Sequence, residues 1–211
     1  MLTWFPSPYP DELFYSVLCR YYLSSGIKEH NIVKRLLFGN RVGIKMATLY
    51  PNAAVHAVLS QLPEGVFDGH NVILHHTPFL YYTRMYPATE REALMDDLLQ
   101  GRSKTPTHLW RTFPKGDYAL RYCPLCVRED TQIYGEPYYH VEHQIPLSSV
   151  CVRHKCRLKQ IAVDNPRLAL NNRFYPLGTM GTDREPDMDV TPAELQVSEL
   201  VREYWRLPAS I

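Results

Sequence analysis

Four residues in the second half of the chain have the types and the spacing of a zinc site. Cys123 and Cys126 form one pair, Cys-Pro-Leu-Cys, and Cys151 and His154 form a second, Cys-Val-Arg-His. Two residues between the members of each pair let both donor atoms point at one centre while backbone amides hydrogen-bond to the sulfurs. Three thiolates and one imidazole complete a tetrahedron and leave no open position. The pattern therefore predicts one structural Zn²⁺.

Two further cysteines, Cys19 and Cys156, lie outside these pairs. Cys156 lies two residues after His154 and could replace it, whereas Cys19 is expected to be a small apolar residue within a helix. The chain has five cysteines, an odd number, and in a reducing compartment a Cys-x-x-Cys pair favours metal over a disulfide. We keep Cys123, Cys126, Cys151 and His154 as the predicted ligands.

A His-Val-Glu stretch at residues 140–142 raises the alternative of a zinc nucleobase deaminase. Those enzymes place His-x-Glu before Pro-Cys-x-x-Cys. Here the Cys-x-x-Cys pair comes first and its proline lies inside the pair, so the order argues against a deaminase. We instead expect His140, His143 and Gln144 to form a polar surface. With no glycine-rich phosphate loop and no nucleophile elbow in the sequence, we expect a protein that is not an enzyme.

The composition is that of a folded protein whose charges are unevenly distributed. Of 211 residues, 45% are hydrophobic and 21% are charged, with a formal net charge of +1. Between Gly101 and Arg128, six Lys or Arg face a single acid, and between Asp183 and Glu199 six acids face a single arginine. The basic centre indicates nucleic acid, and the acidic end indicates a different partner or simple solvation.

The chain is expected to be intracellular and cytoplasmic. It has no run of about 18 apolar residues, and its first residues contain neither a basic start nor an apolar segment. We therefore expect neither a membrane span nor a signal peptide.

The spacing of apolar residues predicts a mainly α fold with a small zinc-ribbon or zinc-finger unit. Helices are predicted over residues 11–23 and 29–38, from Asn52 as N-cap to Leu62, from a Thr89–Glu92 capping box to Leu99, and from Thr191 with Pro192 and Glu194 through the stripe Val197, Leu200, Val201 and Tyr204. Acidic residues Asp11 and Glu12 are expected to complement the positive end of the first helix. Short tandem helices before a basic segment are compatible with a helix-turn-helix module.

Three segments are expected along the chain. Residues 1–110 form the helical region, residues 111–164 form the zinc module, and residues 165–211 form a loop and a C-terminal helix. The Pro-, Asn-, Gly- and Asp-rich stretch 165–189 is the best linker candidate, with a short strand at 173–177.

Several short stretches, taken in order, resemble the TniQ/TnsD family of transposon target selectors. They are Phe5-Pro6-x-Pro8-Tyr9-x-Asp11-Glu12-Leu13-x-Tyr15-Ser16, Phe38-Gly39-Asn40, Arg121-Tyr122-Cys123-Pro124-x-Cys126, Tyr134-Gly135-Glu136, and Cys151-x-x-His154 with Leu158 beyond. The resemblance spans residues 4 to 160 and is closer to the TnsD branch. The chain departs from the family at Val152, where a proline is common, and at Lys155, where a small residue is common.

The resemblance implies a non-enzymatic adaptor of transposition. Such a protein engages target DNA, either by reading an attachment site or through a CRISPR RNA-guided effector, and recruits the AAA+ ATPase TnsC. It would be cytoplasmic in a bacterium and associated with the nucleoid. Full TnsD-type proteins are longer, so the chain corresponds to an N-terminal portion or to a short TniQ-like form.

Two sets of contacts are expected of such an adaptor. Exposed Trp4, Phe5 and Tyr9 could anchor TnsC, or the same residues could fasten the first helix to the core. Basic side chains near and within the zinc module would contact phosphates, which position the protein without reading sequence. These are Arg102, Lys104, Arg111, Lys115, Arg153, Lys155 and Arg157.

Overall fold

The computed structural model describes residues 2–39, 52–102, 119–161 and 173–207, and most of the regular structure in them is helical. The predicted mainly α fold is confirmed. The eight α-helices of these ranges are α1 (Phe14–Ser25), α2 (His30–Phe38), α3 (Ala54–Leu59), α4 (Gly69–His75), α5 (Phe79–Thr83), α6 (Ala88–Leu99), α7 (Pro124–Tyr134) and α8 (Pro192–Arg206). A 3₁₀ turn covers Leu177–Thr179.

Four two-residue strands form two small antiparallel sheets around the predicted metal ligands. Strand β1 (Arg121–Tyr122) pairs with β4 (Lys159–Gln160), and β2 (Val150–Cys151) pairs with β3 (Cys156–Arg157). In the second sheet Cys151 lies opposite Cys156. The β1–β4 pairing thus brings the residues that precede α7 next to those that follow the β2–β3 pair.

Helix α1 begins three residues later than its apolar stripe predicts. Asp11 has φ of +59° and Leu13 is extended, so the helix starts at Phe14. Asp11 and Glu12 therefore lie just before the helix rather than in its first turn, and Glu12 pairs with Arg20. Gly26 ends α1 in the left-handed conformation, as a glycine C-cap should.

The predicted capping box of α6 is also wrong. Its N-cap is Pro87 and its first residue is Ala88, which places Thr89 inside the first turn rather than before it. Helices α4 and α5 were not predicted, because seven and five residues hold too few apolar positions to show a stripe. Helix α4 does carry a local signal, since the Asp68 side chain accepts a hydrogen bond from the His70 amide.

Helix α8 confirms its predicted start but not its predicted buried face. The Thr191 side chain accepts from the Glu194 amide, and the Glu194 carboxylate accepts from the Thr191 amide. Val197 and Leu200 of the predicted stripe are 44% and 58% exposed, whereas Ser198 and Trp205 are buried. Ser198 faces inward because its hydroxyl accepts hydrogen bonds from the amides of Ser149 and Val150.

One hydrophobic cluster takes residues from all three predicted segments. It joins Leu13 of the helical region, Tyr122, Tyr139 and Ile145 of the zinc module, and Trp205 of α8. The predicted segment boundaries near residues 110 and 164 lie outside the described residues. In the parts that are described, the helical region and the zinc module pack together.

Residues 173–177 of the expected linker pack on the helical region and on Tyr139 of the zinc module. Tyr15 donates its hydroxyl to the Arg173 carbonyl, Tyr139 donates to the Tyr175 carbonyl, and Phe174 stacks on Tyr22. The strand predicted at 173–177 is absent there, and Leu177 instead opens the 3₁₀ turn within the core.

Across the four described ranges, every helix is too short or too polar to cross a bilayer.

Candidate metal centre

The first pair of ligands lies at the N-terminus of α7. Cys123 is the N-cap, Pro124 occupies the first helical position, and the Cys126 amide donates to Cys123 Sγ at 3.4 Å. Proline suits that position because its fixed φ is helical and it has no amide to satisfy. The positive end of the helix also favours a thiolate at Cys123. The Cys-Pro-x-Cys spacing is therefore a helix start that holds two sulfurs.

The second pair lies on the β2–β3 hairpin. Cys151 ends β2, His154 lies in the connecting turn, and the Cys151 carbonyl accepts a hydrogen bond from the Lys155 amide at 2.7 Å. Lys155 has φ of +50°, a left-handed conformation that tightens the turn. This turn brings the imidazole back over the two sulfurs of α7.

The four predicted ligands come together with the dimensions of a tetrahedral site. His154 Nδ1 lies 3.5, 3.3 and 3.6 Å from the sulfurs of Cys123, Cys126 and Cys151. The sulfurs of Cys126 and Cys151 are 3.8 Å apart, and all four donor atoms lie within 4.8 Å of one another. Zinc distances of about 2.3 Å to sulfur and about 2.0 Å to nitrogen require edges of about 3.8 and about 3.5 Å. The donor set fits Zn²⁺.

The protonation of the neighbouring cysteines also favours a bound cation. Hydrogen bonds from Cys126, Cys151 and Cys156 lower the pKa of Cys123, and the same contacts with Cys123 raise the pKa values of Cys126 and Cys156. Neighbouring sulfurs thus oppose simultaneous ionisation, since like charges disfavour each other. A divalent ion at the centre removes that conflict and holds all three ligand cysteines as thiolates.

Cys156 lies beside this group rather than within it. Its sulfur is 3.4 Å from Cys123 Sγ and fully buried, yet it does not belong to the set of four mutually close donors. Cys19 lies in the core of α1, where burial raises the pKa of its thiol to about 12, so it behaves as the small apolar residue that was expected.

The far side of the His154 ring faces a carboxylate. His154 Nε2 is 3.2 Å from Glu129 Oε2 of α7, and the other oxygen of Glu129 accepts a hydrogen bond from Arg153. When Nδ1 binds metal, Nε2 carries the proton, and a carboxylate on that proton fixes the ring orientation and the tautomer. Sequence reasoning missed Glu129, whose only local signal is its position three residues after Cys126.

The predicted polar surface of His140, His143 and Gln144 is wrong. All three are buried. His140 Nε2 is 2.9 Å from Asp130 Oδ2 and its Nδ1 is 3.4 Å from Asp11 Oδ2. Burial lowers the pKa of His140, but these two carboxylates outweigh burial and raise the pKa to about 10. These three residues form a buried polar layer within the zinc module.

The arrangement does not resemble a deaminase site. His140 is engaged with two aspartates, and Glu142 Oε2 pairs with Arg202 and Arg206 of α8, each at 3.1 Å. Neither side chain belongs to the group of four metal donors.

Three residues that carry the sequence resemblance meet around Arg20 in a partly buried polar cluster, here called the Arg20 node. Arg20 of α1 donates to Glu12 at 2.9 Å and to Glu136 at 2.7 Å, and its guanidinium lies 3.7 Å from the centroid of the Tyr9 ring. The Tyr9 hydroxyl donates to Glu136, which follows Gly135 at the left-handed end of α7. These residues join the N-terminal segment to the zinc module.

The predicted docking residues separate into exposed and buried ones. Trp4 is 52% exposed and stacks on Tyr21, whereas Phe5 is buried against Phe14 and Phe67. The prediction that Phe5 is exposed is wrong, because its ring fastens α1 to the core. Tyr9 is held in the node described above.

Of the predicted phosphate contacts, the structure describes some and not others. Lys104, Arg111 and Lys115 lie outside the described residues. Arg102 is exposed and pairs with Asp97 of α6 at 3.1 Å. In the zinc module Lys155 is exposed, and Arg153 pairs with Glu129.

Arg157 is occupied by the C-terminal segment. Its guanidinium binds both oxygens of Glu194 and donates to the Asp189 carbonyl. The side chain is therefore a structural connector as the structure stands.

Known proteins resemble the part of the chain that contains the candidate metal centre. The TniQ family model matches residues 3–158, a range that contains α1 to α7 and all four candidate ligands. The chain is 28% identical over 179 residues to the transposon Tn7 transposition protein TnsD of Escherichia coli, covering 82% of this chain and 34% of that protein. It thus spans about one third of that relative's length.

Proposed function

The chain belongs to the TniQ family, and from that premise we propose that it is a non-enzymatic adaptor that selects targets for DNA transposition. In this role it engages duplex DNA and recruits an AAA+ ATPase of the TnsC type. The observation that carries the proposal is the family match over residues 3–158, which includes the closed Cys3His group. The similarity to a Tn7 transposition protein supports it.

The proposed zinc has a structural role. Cys123, Cys126, Cys151 and His154 would hold it, and four protein donors leave no position for a substrate. When bound, the ion supplies charge neutralisation and cross-links α7 to the β2–β3 hairpin. The chain's own residues do the rest: the N-cap geometry aims two sulfurs, and the Lys155 turn aims the imidazole.

Two exposed regions support the proposed partners. Lys155 and Arg102 present side chains that can reach phosphates, which would give sequence-independent, salt-dependent affinity for DNA. Trp4 presents an exposed aromatic ring that stacks on Tyr21, and aromatic side chains are typical interface anchors.

The test is binding of the zinc-loaded chain to nucleotide-loaded TnsC from the same element, with and without duplex DNA, after one zinc per chain has been confirmed. We expect capture of TnsC by the chain alone and reduced capture by Trp4→Ala. Leu23→Ala, at another exposed apolar side chain, is the matched control and should bind like the wild type.

Two results would contradict the proposal. Binding to DNA alone would remove the recruitment function, and equal loss in Trp4→Ala and Leu23→Ala would remove Trp4 from the docking surface. Capture of TnsC only in the presence of a CRISPR effector would point to the RNA-guided form of the adaptor.

A further inference from the structure

An acidic segment lies along one side of the zinc module. Residues 183–189, here called the acidic strap, run without helix or strand between the buried Thr182 and Thr191, the N-cap of α8. Four acids occupy every second position of the strap. They are Asp183, Glu185, Asp187 and Asp189.

Three of these carboxylates sit on basic side chains of the zinc module. Arg128 Nη2 of α7 is 3.3 Å from Asp183 and 3.5 Å from Glu185. Asp187 Oδ2 is 3.7 Å from Arg157 Nε and 4.0 Å from Lys159 Nζ. We call Arg128, Arg157 and Lys159 the basic face. The acids of the strap thus pair with the basic face within the same chain.

The two halves of the strap are held differently. The second half is fixed by its backbone, since the Arg157 amide donates to the Asp187 carbonyl and Arg157 Nε donates to the Asp189 carbonyl, each at 2.8 Å. The first half meets Arg128 through Asp183 and Glu185, whose side chains are both 91% exposed. Exposed ion pairs are weak and are screened by salt, so this half can leave Arg128 at little cost.

A duplex phosphate backbone offers the same charge as the strap at higher density. Guanidinium groups bind phosphate oxygens in the same forked geometry with which they bind carboxylates. We propose that Arg128 of the basic face binds the phosphate backbone of duplex DNA, and that the acids within residues 183–186 of the strap pair with Arg128 until DNA displaces them. This inference rests on the DNA binding in the proposed function. It adds Arg128 as a contact and assigns Arg157 to anchoring the strap.

The test compares two doubly neutralised full-length variants with the wild type, using fluorescence anisotropy on a short duplex of mixed sequence. Asp183→Asn/Glu185→Gln removes both acids that pair with Arg128. Glu199→Gln/Glu203→Gln on α8 makes the same charge change at acids that form no ion pair in the described part of the chain. We expect the strap variant to bind about threefold tighter or more at about 50 mM salt, with the control within about twofold of the wild type.

Adding Arg128→Gln to the strap variant should abolish the gain and make the log–log salt slope shallower by about 0.9, the value for one phosphate contact. Equal gains in the strap and control variants would show a net-charge effect and overturn the inference, as would a gain that survives Arg128→Gln. Either result leaves DNA binding intact. If no form of the chain binds duplex, both this inference and the DNA contact in the proposed function fail, while TnsC capture is judged separately.

Discussion

His154 Nδ1 faces three sulfurs, and Glu129 Oε2 lies 3.2 Å from Nε2 on the other side of the ring. A carboxylate in that place favours the proton on Nε2, which leaves Nδ1 free to bind metal. Arg153 in turn orients Glu129. At the scale of single residues, the orientation of the candidate ligand His154 thus depends on a side chain outside the group of four donors.

Replacing Glu129 with glutamine should weaken zinc binding by about tenfold, because the imidazole loses a charged acceptor that fixes its orientation. Competition with a chromophoric chelator measures the affinity. Glu203→Gln, the same change at an exposed position of α8, should leave the affinity unchanged.

The same assay tests the ligand set. Cys156→Ser should retain the metal and Cys123→Ser should lose it, since only Cys123 belongs to the group of four donors.

For the Glu129→Gln prediction, full zinc affinity would show that the His154 ring is held by the hairpin alone.

At the scale of secondary-structure elements, buried polar groups connect α1, α7 and the segment that follows α7. Arg20 of α1 binds Glu12 and Glu136, and His140 joins Asp130 of α7 to Asp11. Burial raises the pKa of Glu12 to about 7 even though Arg20 opposes that shift. Such groups set the relative position of helices only as long as every partner is present.

Arg20→Met should destabilise the zinc-loaded protein by about 3–5 kcal/mol, because it leaves the buried Glu12 without its counter-ion. Urea unfolding followed by circular dichroism measures the change. Arg102→Met, which breaks an exposed pair with Asp97, should cost about 1 kcal/mol or less. Equal effects of the two substitutions would show that the Arg20 node does not connect the elements.

The His140 pair of carboxylates predicts a pH dependence in the alkaline range. The folded pKa of about 10 lies above the unfolded value of 6.5, so the folded state retains the proton longer. This stabilisation is complete below pH about 6.5 and is lost as the pH rises through about 10, with a slope of up to about 1.4 kcal/mol per pH unit.

Unfolding free energies of the wild type and His140→Gln between pH 7 and about 10 measure this dependence. We expect the slope to be smaller in His140→Gln, because glutamine does not titrate. Parallel curves for the two proteins would mean that His140 is neutral in the folded state.

At the scale of the whole molecule, the zinc module and the helical region share one hydrophobic core. Tyr122 and Tyr139 of the module pack in the same cluster as Leu13 of the N-terminal segment and Trp205 of α8. Loss of the module's structure would therefore expose apolar surface of the helices as well.

Removing zinc with excess chelator should lower the thermal midpoint of the helical signal at 222 nm, not only perturb the module. The reason is that ligand binding and folding share one free energy in small metal units, and here the unit also covers the core. Adding zinc back should restore the midpoint. An unchanged helical transition would show that the helices fold independently of the metal site.

The sequence by itself determined the features that depend on neighbours in the chain. Two Cys-x-x-Cys/His pairs predicted the donor set, and Thr191, Pro192 and Glu194 predicted the start of α8, since ligand pairs and caps are built within four residues. The tertiary structure alone decided which polar residues are buried and what they bind. Arg20, whose side chain is 10% exposed, meets Glu136 across 116 positions. No local pattern encodes such pairs, because the stability of a buried charge depends on partners that only folding brings close.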